Sequence, residues 1–258
     1  MRLMKRILSA AAVLALSASL LVGCSSGTAS AVPVSASSAA ESTVSSVEET
    51  ASSAVDENAA AAEQLLNDLT GSYQELWPVI LADEYKQTWL DDCTALVGED
   101  NAEAAFEKLS SMVTGDVYGE DAVKAYANGG GAYFCGFTNS LATLTFDGET
   151  STISGTDKDG NVLFSHTYHY IGMEPVHGLY EFESDDADSG EFTYFFLAPD
   201  TSAETYHIEF RYGSDAEALS QYDAGEYAYW VASGISTDCD QTMIDNCIEL
   251  FCTENLAG

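Results

Sequence analysis

Residues 141–171, LATLTFDGETSTISGTDKDGNVLFSHTYHYI, decide the fold class. Three runs rich in Phe, Tyr, Thr, Ile and Val (141–146, 150–155 and 161–171) are separated by Asp147-Gly148 and Asp159-Gly160. Asp-Gly readily adopts the positive φ of a tight turn, so two such dipeptides between period-2 segments read as successive hairpins. The pattern continues on both sides, in 132–138, 178–184, 191–198 and 205–212, with Asp188-Ser189-Gly190 and Ala198-Pro199-Asp200 as further turns. Seven short runs joined by tight turns predict an up-and-down antiparallel sheet, which loses its unpaired edges only by closing into a barrel.

Helical spacing flanks this region. Leu65, Leu66, Leu69, Tyr73, Leu76, Trp77, Ile80 and Leu81 recur at three- and four-residue steps, so Glu63 to Val97 reads as helix broken near Gly71 and Pro78. Asp100 or Asn101 caps a second helix, with Ala105, Phe106, Leu109 and Met112 as its apolar face, and Asp121–Tyr126 adds a short third. From Ser214 onward the pattern is helical again, through Ala218, Leu219 and Tyr222, then Tyr227–Ala232, then Met243, Ile244, Cys247, Ile248 and Phe251. The expected fold is mainly β with flanking helices.

The N-terminus carries an export signal. Arg2, Lys5 and Arg6 precede an apolar stretch from Ile7 to Val22, and Leu21-Val22-Gly23-Cys24 is a lipobox. Residues 1–23 are therefore expected to be a signal peptide, with Cys24 becoming the lipidated N-terminus of an extracytoplasmic protein anchored to the cell membrane through that lipid alone. From Ser25 to about Ala60 the chain is Ser, Ala, Thr, Val and Glu, too poor in large apolar groups to offset its ordering entropy. Residues 24–62 read as a tether reaching about 30 Å, and 63–258 as one domain.

The formal net charge is −34, and loss of Arg2, Lys5 and Arg6 with the signal deepens it by three, to −37. Such a polyanion repels phosphate backbones, which disfavours nucleic acid and favours cations as small ligands. Cys93, Cys135, Cys239, Cys247 and Cys252 follow the lipid-bearing Cys24. No Cys-x-x-Cys spacing occurs, against both a thioredoxin-like site and a zinc ribbon, and spacing does not reveal which thiols pair.

No nucleophile elbow, His-Glu-x-x-His, Walker loop or Gly-x-Gly-x-x-Gly is present, so the chain reads as a binding protein and not an enzyme. The acidic run Asp185–Glu191 lacks the ligand spacing of an EF-hand and reads as a solvated turn. His166 and His169, three apart on one strand, point to opposite faces, and His177 lies in a loop after Pro175. If Tyr206 and Ile208 pack outward, His207 faces the barrel lumen with Thr205 and Glu209.

Two stretches resemble the ZinT (YodA) family, a domain that also forms the C-terminal half of some streptococcal zinc-binding lipoproteins. Leu69–Pro78 is similar to its Gly-x-Trp-Gln-x-x-Tyr-Pro opening, with Gly71, Gln74 and Pro78 matching and Tyr73 and Trp77 as aromatic exchanges. Leu197-Ala198-Pro199 through Tyr206-His207-Ile208, then Tyr212–Asp215, resembles its Ile-Ala-Pro, His-Phe-His-Ile and Gly-Asn-Asp/Glu run. The resemblance covers roughly residues 63–258. It implies a lipocalin-like (calycin) barrel that binds zinc or another divalent metal and passes it toward a metal ABC transporter or its solute-binding protein. The family's three metal histidines fall here on Phe195, Thr205 and His207, so one imidazole remains. Glu209, with Glu181 or Glu183, would add oxygens and make a harder site, better suited to manganese or calcium than to zinc.

The functional expectation is a surface lipoprotein that binds metal through His207 and Glu209. Phe195 and the Tyr-rich strands support an alternative, a barrel holding a small organic ligand, and the acidic surface a third, a non-catalytic interaction lipoprotein. Intact-mass analysis of the exported protein checks the N-terminal reading. The mature chain should begin at a diacylated or triacylated Cys24, and Cys24→Ala should retain the first 23 residues; processing at another bond contradicts it.

Overall fold

Eight strands, each hydrogen-bonded to the next in sequence, close into an antiparallel barrel in the computed structural model, which describes residues 57–115, 117–199 and 207–256. The expected signal peptide, Cys24, most of the expected tether and Thr205 lie outside those residues. The strands are β1 (Gly71–Glu75), β2 (Thr143–Asp147), β3 (Thr152–Thr156), β4 (Val162–Met173), β5 (Tyr180–Ser184), β6 (Tyr194–Leu197), β7 (His207–Gly213) and β8 (Ala232–Ser236). Pairing of Tyr73 with Ser236 and of Glu75 with Gly234 closes the ring.

The Asp147-Gly148 and Asp159-Gly160 turns stand where expected, between β2 and β3 and between β3 and β4. Asp157 rather than Asp159 organises the second, accepting the backbone N–H groups of Asp159 and Asn161 at 2.9 Å. Three elements differ from the sequence reading. Residues 132–138 form no strand, only isolated bridges from Phe134 to Thr114 and Trp230. Residues 71–75, which keep helical apolar spacing, are strand β1: Gly71 takes φ +144, which ends the preceding helix, and Ser72 Oγ meets Thr145 Oγ1 at 2.8 Å. The stretch expected to be helical around Tyr227–Ala232 is turn and then strand β8. Its small residues let the ring close, since a Cβ at Gly234 would lie 3.1 Å from Ile208 Cγ1 and 3.4 Å from Gln74 O.

The first described helix, α1 (57–68), begins six residues before the expected domain boundary at Glu63, and Ala62 is fully buried. It is followed by α2 (Leu76–Ile80), α3 (Lys86–Val97), α4 (Glu99–Val113), α5 (Glu120–Ala127), α6 (Ala216–Leu219) and α7 (Gln241–Leu256). None of the described helices is long and apolar enough to cross a membrane.

Period-2 alternation divides the interior into two cores. The barrel core takes Tyr73, Phe146, Ile153, Phe164, Tyr168 and Phe182 together with Phe195, Ile208, Phe210 and Tyr212, and Leu65 and Leu66 of α1 join it with Leu69 just beyond the helix. Gly155 supplies the space for two of its neighbours, because a Cβ there would lie 2.4 Å from Leu141 Cδ1 and Phe164 Cε1. The second core lies outside the barrel wall, where Ile235 of β8 meets Trp77 and Ile80 of α2, Trp89 of α3, Leu109 of α4, and Ile248 and Phe251 of α7. Trp89 donates its indole N–H to Ile80 O at 2.7 Å, tying α3 to the end of α2. Cys93 and Cys252 bring their sulfurs to 4.0 Å where α3 crosses α7.

Phe195 is the hub of the lumen, with ring centroids of Tyr168, Phe164 and Tyr212 at 5.4, 5.9 and 5.4 Å. Phe195→Ala should therefore cost about 3–5 kcal/mol of folding stability, read from urea denaturation. A loss below about 1 kcal/mol would mean that the lumen is not packed this way.

Candidate functional site

Every residue of β7 is buried, because one face of the strand lines the lumen and the other lies beneath the helical layer. Ile208, Phe210 and Tyr212 take the inner face, so His207, Glu209 and Arg211 point outward. This reverses the expected orientation: His207 does not face the lumen. The physical reason is the apolar payload. Three large side chains enter an aromatic interior, and Ile208 packs inward instead of under the helices.

The register also separates the positions implied by the family resemblance. Phe195 pairs with Tyr212, five residues along β7 from His207, or about 17 Å at roughly 3.3 Å per residue, and on the other side of the wall. Thr205 lies outside the described residues. Glu181 pairs with Phe196, and Phe196 in turn with Arg211, so β6 stands between Glu181 and β7. Glu183 accepts a hydrogen bond from Tyr194 Oη at 3.1 Å. Neither glutamate joins His207.

His207 and Glu209 instead share a small buried chamber of ≈10 Å³ with Cys247 of α7, walled by Leu76, Trp77, Ile80 and Phe251. That is about the space of one water molecule. An imidazole, a carboxylate and a thiol thus face one enclosure, although among the described residues no three such side chains converge closely enough to hold an ion as placed. Burial, reinforced by the negative charge of Glu209, pushes the Cys247 thiol up to about 12. The same two causes, in the same order, raise the Cys135 thiol on the far side of Glu209.

A second chamber, of ≈390 Å³, adjoins the first and shares Trp77, Glu209 and Phe251 with it. It opens between α4, the segment 126–135, the outer face of β7 and β8, and α7. The indole N–H of Trp77 is buried and has only the weakly accepting Cys135 thiol beside it. Periodicity does not single out Trp77 or Cys247 as functional, since both occupy ordinary apolar positions of their helices. Only the docking of α7 on the barrel brings them to His207.

The other histidines are engaged separately. His166 and His169 point to opposite faces of β4, as alternation requires, and their Nδ1 atoms lie 2.7 Å from Asp186 and Asp185. Two carboxylates of the acidic run are thus held by imidazoles of the neighbouring strand. His177 stacks on Tyr222 at 3.6 Å between ring centroids. Glu174 is buried, which by itself would raise its pKa; hydrogen bonds from the His177 side chain and from the His177 and Val176 backbone outweigh this and lower it. Arg211 donates to the carbonyls of Leu219, Gln221 and Tyr227, fastening the 219–227 connection to β7, and its guanidinium lies 4.1 Å from the Tyr222 ring centroid.

No family model and no curated protein matches the chain. Among solved structures it is similar to the Zn(II)-bound ZinT-like domain of Streptococcus pneumoniae AdcA, at 16% identity and a TM-score of 0.45, covering 71% of this chain and 89% of that one. It is also similar to the longer Zn(II)-bound AdcA of the same organism, at 14% identity and a TM-score of 0.43, where 72% of this chain spans 35% of that protein.

Thiol accessibility checks the geometry. In native buffer near pH 8, Cys239, partly exposed beside α7, should be alkylated first, while buried Cys247 reacts only after denaturation. Rapid native labelling of Cys247 would show that α7 does not seal the small chamber.

Proposed function

We propose that the chain is a non-catalytic, lipid-anchored extracytoplasmic protein that binds a divalent metal ion between the barrel wall and α7, using His207, Glu209 and Cys247. The observation that carries this reading is that these three donors line one small enclosure while the rest of its wall is apolar. A nitrogen, an oxygen and a sulfur form a borderline-soft set, so Cys247 in place of Glu181 or Glu183 moves the preference toward zinc and away from manganese or calcium. Capture requires rotation of side chains into the chamber and loss of the thiol proton, since thiolate is the ligand form.

Three protein donors leave one tetrahedral position open. An open position is what a carrier needs, because an acceptor can begin to coordinate the ion before the carrier lets go. The mature chain's net charge concentrates cations near the surface, and the expected lipid anchor keeps the domain at the membrane, where an uptake transporter or its solute-binding protein would receive the metal. The sequence resemblance to ZinT supports the same role, with the binding position moved from the family's three-histidine set.

Calorimetric titration of the chelator-stripped mature chain with zinc tests this. One zinc should bind per chain with release of a proton, so affinity should fall as pH is lowered. His207→Ala should weaken binding about tenfold or more, equivalent to roughly 1.4 kcal/mol. Absence of zinc uptake, or an unchanged affinity in His207→Ala, would overturn the proposal.

A further inference from the structure

The ≈390 Å³ chamber is much larger than a metal ion needs, and falls within the roughly 300–1,000 Å³ range of small-molecule sites. Leu109, Met112, Val113, Tyr133, Val231 and Phe251 give it a mainly apolar wall. Its floor is polar at defined points. Trp77 is only 5% exposed, and its indole N–H meets no oxygen or nitrogen acceptor, only the Cys135 thiol, a weak acceptor that lines the same chamber. Buried donors in folded proteins are rarely left in this state, so the arrangement points to an acceptor supplied from outside the chain. The Glu209 carboxylate, 6% exposed, lines the same chamber, and a carboxylate offers only acceptor oxygens when ionised.

We infer that this chamber is a binding site for a small organic molecule with an aromatic or branched aliphatic body and a neutral head that both accepts and donates hydrogen bonds, of the primary carboxamide class. The carbonyl oxygen of the head accepts from Trp77, its N–H donates to Glu209, and its apolar body lies against α4 and Tyr133. An anionic head is repelled by Glu209 and by the charge of the whole chain. An ammonium head would attract Glu209 but offer the Trp77 donor no acceptor. The site lies outside the barrel wall, on the opposite side from the aromatic lumen where the sequence placed an organic ligand. It does not rest on metal binding, although Glu209 faces both chambers and the two occupants should compete.

Titration of the purified mature chain with phenylacetamide, in the presence of a metal chelator, tests the inference by ligand-observed NMR and calorimetry. Saturable 1:1 binding is expected, with phenylacetate and 2-phenylethylamine at least tenfold weaker. Trp77→Phe keeps the ring and removes the donor, and should weaken the amide about tenfold while leaving the amine unchanged. Met112→Trp should fill the chamber and abolish binding, with folding verified by circular dichroism. No saturable binding up to the solubility limit of phenylacetamide, tighter binding of the amine, or unchanged amide affinity in Trp77→Phe would each overturn it. Because chelator is present throughout, failure here leaves the zinc reading standing, and failure of zinc binding leaves this one intact.

Discussion

The structure depends on the alternation of side chains along β7. With Ile208, Phe210 and Tyr212 committed to the lumen, His207, Glu209 and Arg211 have to emerge on the other side of the wall. A shift of one residue would exchange the two sets, placing three ionisable groups among stacked rings. The lumen holds the register against such a shift: Phe195 of β6 stacks on both Phe210 and Tyr212, and Phe192 packs between Phe164 and Tyr212. Polar groups that would otherwise meet water are then covered by helices, and this coverage converts a stretch of outer barrel wall into a protected site.

What covers them is assembled from distant parts of the chain. Trp77 and Ile80 come from α2, Leu109 from α4, and Cys247 and Phe251 from α7, while β8 closes the barrel beneath. Strand β8 and helix α7 are consecutive, so the element that completes the ring also delivers the helix that carries the thiol. Trp77 stacks edge-on against Phe251 at 4.7 Å, and Trp89 meets the same ring at 5.9 Å, which fixes the position of α7 over Glu209. The proposed metal donor, barrel closure and helical packing are therefore linked, and loosening α7 should disturb both chambers at once.

Much of the fold was legible because hairpins are local. Asp147-Gly148 and Asp159-Gly160 mark turns by their own chemistry, and six of the seven expected runs overlap strands. The strands that close the ring, β1 and β8, were not legible. Gly71–Glu75 keeps a helical apolar spacing, and Ala232–Ser236 is too small and short to announce itself; both are strands because each completes a pairing with a partner far away in sequence. The site was legible only in part. His207 and Glu209 stand out as polar residues on an apolar strand, but their face depends on which neighbours fill the lumen. Cys247 repeats with Ile244, Ile248 and Phe251 like any core residue, and only the position of α7 brings it to His207 and Glu209.

The proposed metal donors lie outside the barrel wall and include the thiol of α7. Cobalt(II) substitution tests it most directly, since a thiolate ligand adds an intense sulfur-to-cobalt charge-transfer absorption that nitrogen and oxygen donors cannot produce. That band is expected in the cobalt-loaded protein, together with tetrahedral ligand-field transitions, and should be lost in Cys247→Ser. A cobalt complex showing only nitrogen and oxygen ligation, unaltered by Cys247→Ser, would contradict it.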